Sequence, residues 1–408
     1  MSFFDFNPIL EHMLASDHIS DLNFSVGQPP QVEVSGQLTP LTPLGLGKLT
    51  PFQTEMIAMA LMKNNAEAAA QLAQKGTADL SYALPGKTRF RVNIFQQRGS
   101  YSIVMRLIPA TVPTFESLDL PPQLAEISSL RNGLVLLTGP TGSGKSSTLA
   151  AIIDRINETK SYHIVTIEDP IEFLHKHKKA TINQREVGSD TKDFPSALRA
   201  ALRQAPKVIL IDEMRDLQTT EIALEAAETG HLVLSTLHTI DAAKTVDRII
   251  GIFPKNEEKV IRTRLAQSFR YIVSQRLIPR ADRPGRFAAV EILRSNPRTR
   301  DYIEKGEEQG KTLLDAMRDG KIDGMQDFDS VILENIEKGI ISKEDGLSFC
   351  TNQNNLLLQL SGLGGTGEFL KKNGNGNGNG KPTLKSIPEP IPEEAPATKG
   401  NSILDMID

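Results

Sequence analysis

The sequence predicts an α/β protein in which a parallel β-sheet forms the main core, with a smaller α+β domain before it and a disordered tail after it. Between residues 133 and 237, apolar runs of strand length alternate with helical patterns, which is typical of a parallel sheet covered on both faces. Short alternating apolar patterns occupy the first 108 residues around one helical stretch. After residue 364 the composition becomes rich in Asn and Gly and then in Pro and acidic residues, so this part cannot bury enough apolar surface to fold.

The composition is that of an ordinary globular protein. The chain has 408 residues, 39% of them hydrophobic, which suits two to three domains of about 150 residues each. Its 46 Lys and Arg residues and 50 Asp and Glu residues leave a net charge of −4, which argues against nucleic acid as a partner. The single cysteine, Cys350, excludes an internal disulfide framework. Because neither a long apolar run nor a secretory signal occurs, we expect no transmembrane segment and a cytoplasmic protein.

The first domain is expected over residues 1–108. Asn7 followed by Pro8 is typical of a capped helix start, and strands are expected between residues 21 and 41. The next segment, from Thr50 to Gln74, is expected to be one helical stretch. Three further strands are expected at residues 79–83, 90–96 and 102–107.

The second domain is expected over residues 123–364, after a stiff proline-rich linker at 109–122. From Asp241 to Cys350 the pattern predicts mainly helices. The remaining residues, 365–408, form the predicted disordered tail, whose apolar end is either a docking motif or a solvated terminus: Ile403, Leu404, Met406 and Ile407. The strands of the parallel sheet are expected at residues 133–138, 162–167, 208–211 and 232–237.

The strongest motif is a phosphate-binding loop between an apolar strand and a helix. It matches the pattern G-x-x-x-x-G-K-[ST], in which backbone N–H groups and the helix dipole bind phosphate oxygens. Lys145 is expected to reach the β- and γ-phosphates, and the Ser146 hydroxyl is expected to bind Mg²⁺. The predicted nucleotide-binding residues of the loop are Gly139, Pro140, Thr141, Gly142, Ser143, Gly144, Lys145, Ser146 and Ser147.

Acidic residues end two of the apolar strands. Glu168 and Asp169 follow one strand, and Asp212 and Glu213 follow another. Because ligands bind beyond the carboxyl ends of parallel strands, both pairs are expected in one crevice. We interpret Asp212 as a ligand in the metal shell and Glu213 as the base that activates water. The alternative is that these carboxylates cap the helices that follow them.

Two histidines flank the strand at 232–237. The strand is expected to bring His238 to the same crevice, whereas His231 precedes it. A zinc site is disfavoured because no third ligand has suitable spacing. We interpret the histidines as sensors of the γ-phosphate or as residues that couple subunits, and a structural role is the alternative.

Four sequence blocks are together more specific than the phosphate-binding loop. They are residues 139–150, 166–173 with 182–188, 201–216, and 226–254 with Ser-Gln-Arg-Leu at 274–277. On these blocks the chain, from about residue 7 to residue 360, resembles the type IV pilus retraction ATPases (PilT- and PilU-like), a branch of the secretion-system P-loop ATPases. In that family the blocks are named Walker A, Asp box, Walker B and His box.

The resemblance implies a homohexameric ATPase with a PAS-like first domain and a RecA-like core, which uses ATP and Mg²⁺. It implies Glu213 as the catalytic glutamate, with Glu168 and Asp169 facing the metal and the water. It also implies catalytic His231 and His238, and arginines of the first domain that approach the phosphates. Four arginines are candidates, Arg89, Arg91, Arg98 and Arg106, of which we select Arg91 and Arg106. The implied partners are an inner-membrane pilus platform protein and a paralogous retraction ATPase, with the ring at the inner membrane.

Two departures from the family pattern leave a second function open. The family usually has Gly where this chain has Asp212, and residues 298–305 read RTRDYIEK where the retraction branch has AIRNLIRE. We therefore expect a motor subunit that powers pilus retraction and twitching motility, with a low-turnover accessory subunit as the alternative. A nucleic-acid-remodelling ATPase is the third alternative, and it needs a basic channel that a net charge of −4 does not supply.

Overall fold

The computed structural model describes residues 5–15, 19–34, 37–63, 65–109 and 111–361. The predicted disordered tail at 365–408, with its apolar end, lies outside the described residues. None of the helices in the described part of the chain is long and apolar enough to cross a membrane.

The N-terminal part contains a six-stranded sheet in the order β3-β2-β1-β6-β5-β4, with every neighbouring pair antiparallel. Helices α1 to α3 bury their apolar side chains against it, and Phe6 meets Phe24 edge to face with ring centroids 5.3 Å apart. The elements are α1 (Asn7–Met13), β1 (Ile19–Phe24), β2 (Gln31–Val34), β3 (Gln37–Pro40), α2 (Pro51–Met62), α3 (Ala66–Lys75), β4 (Thr77–Leu84), β5 (Thr88–Gln97) and β6 (Ser100–Ile108).

The expectation of one helical stretch from Thr50 to Gln74 is wrong, because two helices occupy it. α2 begins at a capping box of Thr50 and Gln53, with Pro51 in the first turn, and it ends at Met62. α3 then begins at Ala66 and is capped by Asn65, whose side-chain oxygen accepts a hydrogen bond from the Ala68 N–H. The Asn65 side chain thus starts a second helix, because it binds a backbone N–H group that a continuous helix would have used.

The predicted linker does more than join the two parts. Phe115 and Leu120 are buried in the same apolar cluster as α4 (Lys145–Thr159) and strand residues of the core, including Val135. The second half of the proline-rich segment is therefore anchored on the core, whereas its first half precedes that contact. The exact domain boundaries stay a prediction.

The core is a seven-stranded sheet in the order β13-β12-β7-β11-β10-β8-β9, in which only β13 runs antiparallel to its neighbour. All six residues of β7 are buried, with Leu134 packing on one face and Val135 on the other. This two-sided burial explains the continuous apolar runs. The strands are β7 (Gly133–Thr138), β8 (His163–Glu168), β9 (Thr181–Glu186), β10 (Val208–Ile211), β11 (Leu232–Leu237), β12 (Phe269–Pro279) and β13 (Arg286–Arg294).

The expectation that residues 241–350 are mainly helical fails at β12 and β13. These strands form a hairpin and extend the sheet beyond β7, where Ser274 pairs with Thr138 and with Glu291. The periodicity of short apolar runs does not by itself distinguish a buried strand from a buried helix. The helices around the sheet are α5 (Phe194–Ala201), α6 (Leu217–Glu228), α7 (Ala242–Ile252), α8 (Glu258–Ser268), α9 (Pro297–Lys305), α10 (Leu313–Asp319), α11 (Phe328–Glu337), α12 (Lys343–Phe349) and α13 (Gln353–Leu360).

Candidate active site

The phosphate-binding loop connects β7 to α4 through three glycines with positive φ. At Gly139 φ is 143°, and a Cβ atom there would lie 2.4 Å from the main-chain oxygen of Gln275. At Gly144 φ is 89°, and a Cβ atom would lie 2.8 Å from Gln275 Nε2. Only glycine fits at these two positions. The loop is thereby held against β12, with the first turn of α4 directly after it.

Lys145 lies inside this loop rather than in solvent. Its Nζ donates hydrogen bonds to the carbonyl oxygens of Gly139 at 2.8 Å and Pro140 at 3.2 Å. Burial lowers the pKa of Lys145, whereas nearby carboxylates, with Glu213 the strongest, raise it. Within the described chain, the buried Ser143 Oγ has no hydrogen-bond partner. A glycine cradle, a buried ammonium and an unpaired hydroxyl at a helix N-terminus are a donor set that fits a nucleotide phosphate chain.

The two predicted acidic pairs meet beyond neighbouring strands. β8 and β10 are paired so that Ile167 lies beside Ile211, which brings the residues that follow them together. The Asp169 N–H donates to Asp212 Oδ2 at 3.4 Å. Glu168 is buried, and its Oε1 accepts hydrogen bonds from Thr166 Oγ1 at 2.6 Å and Gln184 Nε2 at 3.0 Å. Burial raises the pKa of Glu168.

Asp212 is held in a crowded acidic environment. Burial, together with the charges of Glu168, Glu172 and Glu213, raises its pKa to about 7, while the hydrogen bond from the Asp169 N–H acts in the opposite direction. Its main-chain oxygen accepts a hydrogen bond from the Thr236 hydroxyl. These carboxylates can lie so close together only if a divalent cation offsets their charge or if one of them takes up a proton.

The oxygen atoms of the site also suit Mg²⁺ that arrives bound to a nucleotide. Among the described residues, no three His, Cys, Asp or Glu side chains are arranged to hold a metal ion. Mg²⁺ is usually bound through one or two carboxylates together with substrate phosphates and water, so a preformed cage is not required. Ser146 in the first turn of α4, Asp212 and Asp169 remain the predicted metal-site residues.

Glu213 has two positively polarised partners. His238 Nε2 lies 3.1 Å and Arg215 Nε lies 2.6 Å from the same carboxylate oxygen, Glu213 Oε2. His238 follows β11 and thus reaches the crevice from the strand next to β10, as the sequence predicts. Arg215 was not among the predicted site residues, although it lies two residues after Glu213. The arrangement fixes the direction of a carboxylate suited to accept a proton from water.

His231 is not brought to this crevice. It precedes β11, so the strand's six residues separate it from the end that carries His238, a distance of about 20 Å. Its Nδ1 lies 3.0 Å from the main-chain oxygen of Ala226, at the end of α6. Within one chain His231 therefore lies at the opposite edge of the sheet, and its catalytic role has no geometric support.

The structure places the candidate arginines of the first domain in different surroundings. Arg106 Nε is paired with Asp21 Oδ1 at 2.9 Å within the N-terminal sheet. Arg89 instead reaches the core, where its guanidinium lies 3.3 Å from Glu186 Oε2. Arg91 lines a cavity of about 150 Å³ between the two parts, together with Asp169. Of the two selected arginines, only Arg91 is placed near an Asp-box residue.

Two buried residues of the hairpin were not predicted as parts of the site. Gln275 Oε1 accepts a hydrogen bond from Thr148 Oγ1 at 2.9 Å, which ties β12 to α4. Glu291, on β13, accepts one from the Ala242 N–H at 2.8 Å, and its pKa is raised to about 7 by burial. The Ser-Gln-Arg-Leu segment at 274–277 could have indicated Gln275 as a site residue. No sequence signal indicates Glu291, because the pattern predicts helices where β13 lies.

Replacing Asp212 with Asn is expected to stabilise the nucleotide-free chain at alkaline pH. The pKa of Asp212 is about 7 in the folded chain against a reference of 3.8, so the folded state holds the proton more tightly. The contribution of Asp212 to the free energy of unfolding is therefore full below pH 4 and is lost as the pH rises through 7. The loss is at most about 4 kcal/mol. In EDTA, Asn should raise the Tm clearly at pH 8 and much less at pH 5.

Asp247→Asn is the matched control, because Asp247 is an exposed aspartate on α7. We expect its Tm to depend on pH as that of the wild type does. Parallel curves of Tm against pH for the wild type and Asp212→Asn would contradict the assigned burial of an ionisable Asp212.

Comparison with known proteins places this site in a family. The model of the type II/IV secretion system protein family matches residues 49–322. The retraction ATPase PilT of Pseudomonas aeruginosa is 43% identical over 331 residues, which cover 81% of this chain and 94% of PilT. PilU of the same organism is 38% identical over 341 residues, covering 84% of this chain and 87% of PilU.

A solved structure agrees with these sequence matches. The crystal structure of the pilus retraction motor PilT with bound ADP superposes with a TM-score of 0.77 at 41% identity, covering 86% of this chain and 98% of that one. The predicted fold class and the family resemblance are thereby confirmed. This chain belongs to the type II/IV secretion ATPase family and, within it, to the type IV pilus retraction ATPases.

Proposed function

We propose that this chain is a motor subunit that hydrolyses Mg-ATP to power type IV pilus retraction and twitching motility. The observation that carries the proposal is the meeting of a glycine phosphate loop, Lys145 and the Glu213–His238 pair at one end of the core sheet. The retraction ATPase PilT and a twitching motility protein of Neisseria gonorrhoeae, 47% identical over 266 residues, support the biological assignment. The chain is an ATPase, as its family membership shows.

The geometry divides the chemical work among named side chains. The loop amides and Lys145 bind and orient the phosphates, and Ser146 with Asp212 and Asp169 would hold Mg²⁺. Bound Mg²⁺ would neutralise charge on the phosphate oxygens. Glu213 accepts a proton from the attacking water, while His238 and Arg215 keep its carboxylate aimed at that position.

The proposed assembly is a homohexamer at the cytoplasmic face of the inner membrane, where it acts on the pilus platform protein and works with a paralogous retraction ATPase. The Arg89–Glu186 ion pair supports a mechanical link, because it connects β5 of the first domain to the end of β9, which lies beside the Asp-box strand. Movement of the first domain can thereby reach the nucleotide site. Arg91 is proposed to approach the phosphates, and His231 is proposed to act in subunit coupling rather than in catalysis within its own chain.

The test combines turnover, assembly and motility. Purified full-length chain should hydrolyse ATP only with Mg²⁺, and its mass in solution should correspond to six copies when Mg-ATP is present. Expression in a bacterium that lacks its own retraction ATPase should restore twitching. A magnesium-independent activity would contradict the assigned mechanism, and an active enzyme that fails to restore twitching would contradict the motor assignment.

A second candidate function is a low-turnover accessory subunit of the retraction motor. The specific observation in its favour is Asp212, whose extra carboxyl is half-buried and feels the charges of Glu168 and Glu213. The PilU relative also spans most of this chain. If the purified chain binds Mg-ATP without hydrolysing it, and stimulates retraction only beside a second ATPase, this function replaces the first.

A further inference from the structure

Glu291 is a buried carboxyl that the proposed mechanism does not use. It lies on β13, and only 3% of its surface is exposed. Its hydrogen bonds are with the Ala242 N–H at the start of α7 and with Ser274 Oγ on β12. A buried carboxyl is costly unless it is hydrogen-bonded or neutralised, so its retention on a sheet strand calls for a physical role.

One oxygen of this carboxyl joins three parts of the core. Glu291 Oε1 accepts hydrogen bonds from the Ala242 N–H at 2.8 Å and from Ser274 Oγ at 3.2 Å. Ser274 Oγ in turn accepts a hydrogen bond from Thr138 Oγ1 at 3.0 Å. Thr138 is the last residue of β7 and directly precedes Gly139. A continuous buried chain of hydrogen bonds therefore runs from the base of the phosphate loop to the first residue of α7.

The start of α7 determines where His238 lies. Only residues 239–241 separate His238 from Ala242, and they are held locally. Asp241 caps α7 by accepting a hydrogen bond from the Lys244 N–H at 2.7 Å, and Thr239 Oγ1 lies 2.6 Å from Thr245 Oγ1. Displacing the first turn of α7 would therefore displace His238, whose Nε2 is 3.1 Å from Glu213 Oε2.

The other end of the hydrogen-bond chain is tied to the phosphate loop. Gln275, next to Ser274, bonds to Thr148 on α4, and Gly139 and Gly144 pack closely against it. Because β12 is fixed against the loop in this way, Glu291 connects a rigid phosphate-binding element to the segment that carries the partner of the catalytic glutamate.

We propose that Glu291 is a positioning residue for ATP hydrolysis, which anchors the start of α7 to β12 and so holds His238 against Glu213. This inference rests on the proposed function. The hydrogen bonds of Glu291 go to Ala242 and Ser274 rather than to the phosphate loop, so its loss should lower kcat and leave nucleotide affinity nearly unchanged. A purely packing role would lower stability without this separation of kcat from binding.

Three variants of the full chain separate these roles. Glu291→Gln keeps an acceptor oxygen for Ala242 and Ser274, whereas Glu291→Met fills a similar volume without an acceptor. Ala242→Pro removes the donor from the other side. Proline suits this site because Ala242 is the first residue of α7, and the preceding Asp241 has an extended backbone with φ −158° and ψ 173°.

Steady-state ATPase kinetics, ADP affinity and Tm are measured for each variant, with Glu337→Met on the exposed end of α11 as the control. We expect Glu291→Met and Ala242→Pro to lower kcat roughly 10- to 100-fold, because small misplacements of catalytic groups have effects of this size. ADP affinity should stay within about threefold of wild type, and Glu291→Gln should restore kcat to within about threefold. The double variant, Glu291→Met with Ala242→Pro, should have a kcat no lower than that of the slower single variant.

Each other outcome overturns the inference. Wild-type kcat in Glu291→Met or in Ala242→Pro would show that the anchor does not position His238. Parallel losses of Tm, ADP affinity and kcat would show a packing role. Absence of turnover in the wild type, with ADP still bound, would refute the proposed hydrolysis and the positioning role together, whereas normal wild-type turnover with unaffected variants would refute the positioning role alone.

Discussion

Glu213→Gln should reduce ATP turnover about 100- to 10,000-fold, the range expected when a general base is lost. Gln has almost the same shape as Glu, but it cannot accept a proton from water at neutral pH. It can still accept hydrogen bonds from His238 and Arg215, which contact Glu213 Oε2 at 3.1 and 2.6 Å. Nucleotide binding should therefore persist, and the measurements are ATPase rate and ADP affinity of the purified chain.

Glu337→Gln is the matched control, since Glu337 lies exposed at the end of α11. It should hydrolyse ATP at the wild-type rate. Turnover by Glu213→Gln within a few-fold of wild type would remove Glu213 from the role of base. Loss of ADP binding together with turnover would instead indicate that Glu213 supports the structure of the site.

Lys145→Ala is expected to weaken binding of Mg-ATP roughly 10- to 100-fold, since hydrogen bonds to a charged partner contribute about 1.5 to 3 kcal/mol each. The ammonium group is already placed inside the loop by the carbonyl oxygens of Gly139 and Pro140. Binding therefore requires only local rearrangement of a group that is present at the site. Calorimetry with ATP and Mg²⁺ measures the affinity, and the Tm without nucleotide reports on folding.

Lys207→Ala provides the comparison, because Lys207 is an exposed lysine that precedes β10 at the opposite edge of the same sheet. Its affinity for Mg-ATP should equal that of the wild type. Unchanged affinity in Lys145→Ala would contradict the assignment of the loop as the nucleotide site, and equal weakening in both variants would indicate a nonspecific effect of net charge.

The acidic crevice gives these variants a shared physical context. Burial lowers the pKa of Lys145, and the charges of Glu213 and Asp212 oppose part of this shift. Burial and the charges of Glu168, Glu172 and Glu213 raise the pKa of Asp212. The site thus contains more carboxylates than Lys145 and Arg215 together offset, and a cation that accompanies the nucleotide would relieve the excess.

Local sequence was sufficient for the features that depend on neighbours along the chain. The phosphate loop was recognisable because its glycines and Lys145 must occur in a fixed spacing between a strand and a helix. Glu213 and His238 could be assigned to one crevice because both follow parallel strands. The retraction-ATPase resemblance and the ATPase activity are likewise confirmed by the family match and by the similarity to PilT.

Features that depend on partners distant in sequence needed the fold. β12 and β13 were missed, and with them the contact between Gln275 and the phosphate loop. His231 and His238 look equivalent in sequence because each flanks the same strand, but a strand carries its two ends to opposite edges of the sheet. The local sequence pattern also could not predict that Arg89 pairs with Glu186 of the core whereas Arg106 pairs with Asp21.

By itself, the sequence determined the chemistry of this protein: the phosphate loop, the strand-end carboxylates and the alternation of buried strands with helices. These depend on residue type and spacing over a few positions, where backbone geometry leaves little choice. The tertiary structure alone decided which side chains meet, including Arg89 with Glu186 and Glu291 with the Ala242 N–H. Such contacts depend on how strands far apart in the chain are ordered and registered, which no local pattern specifies.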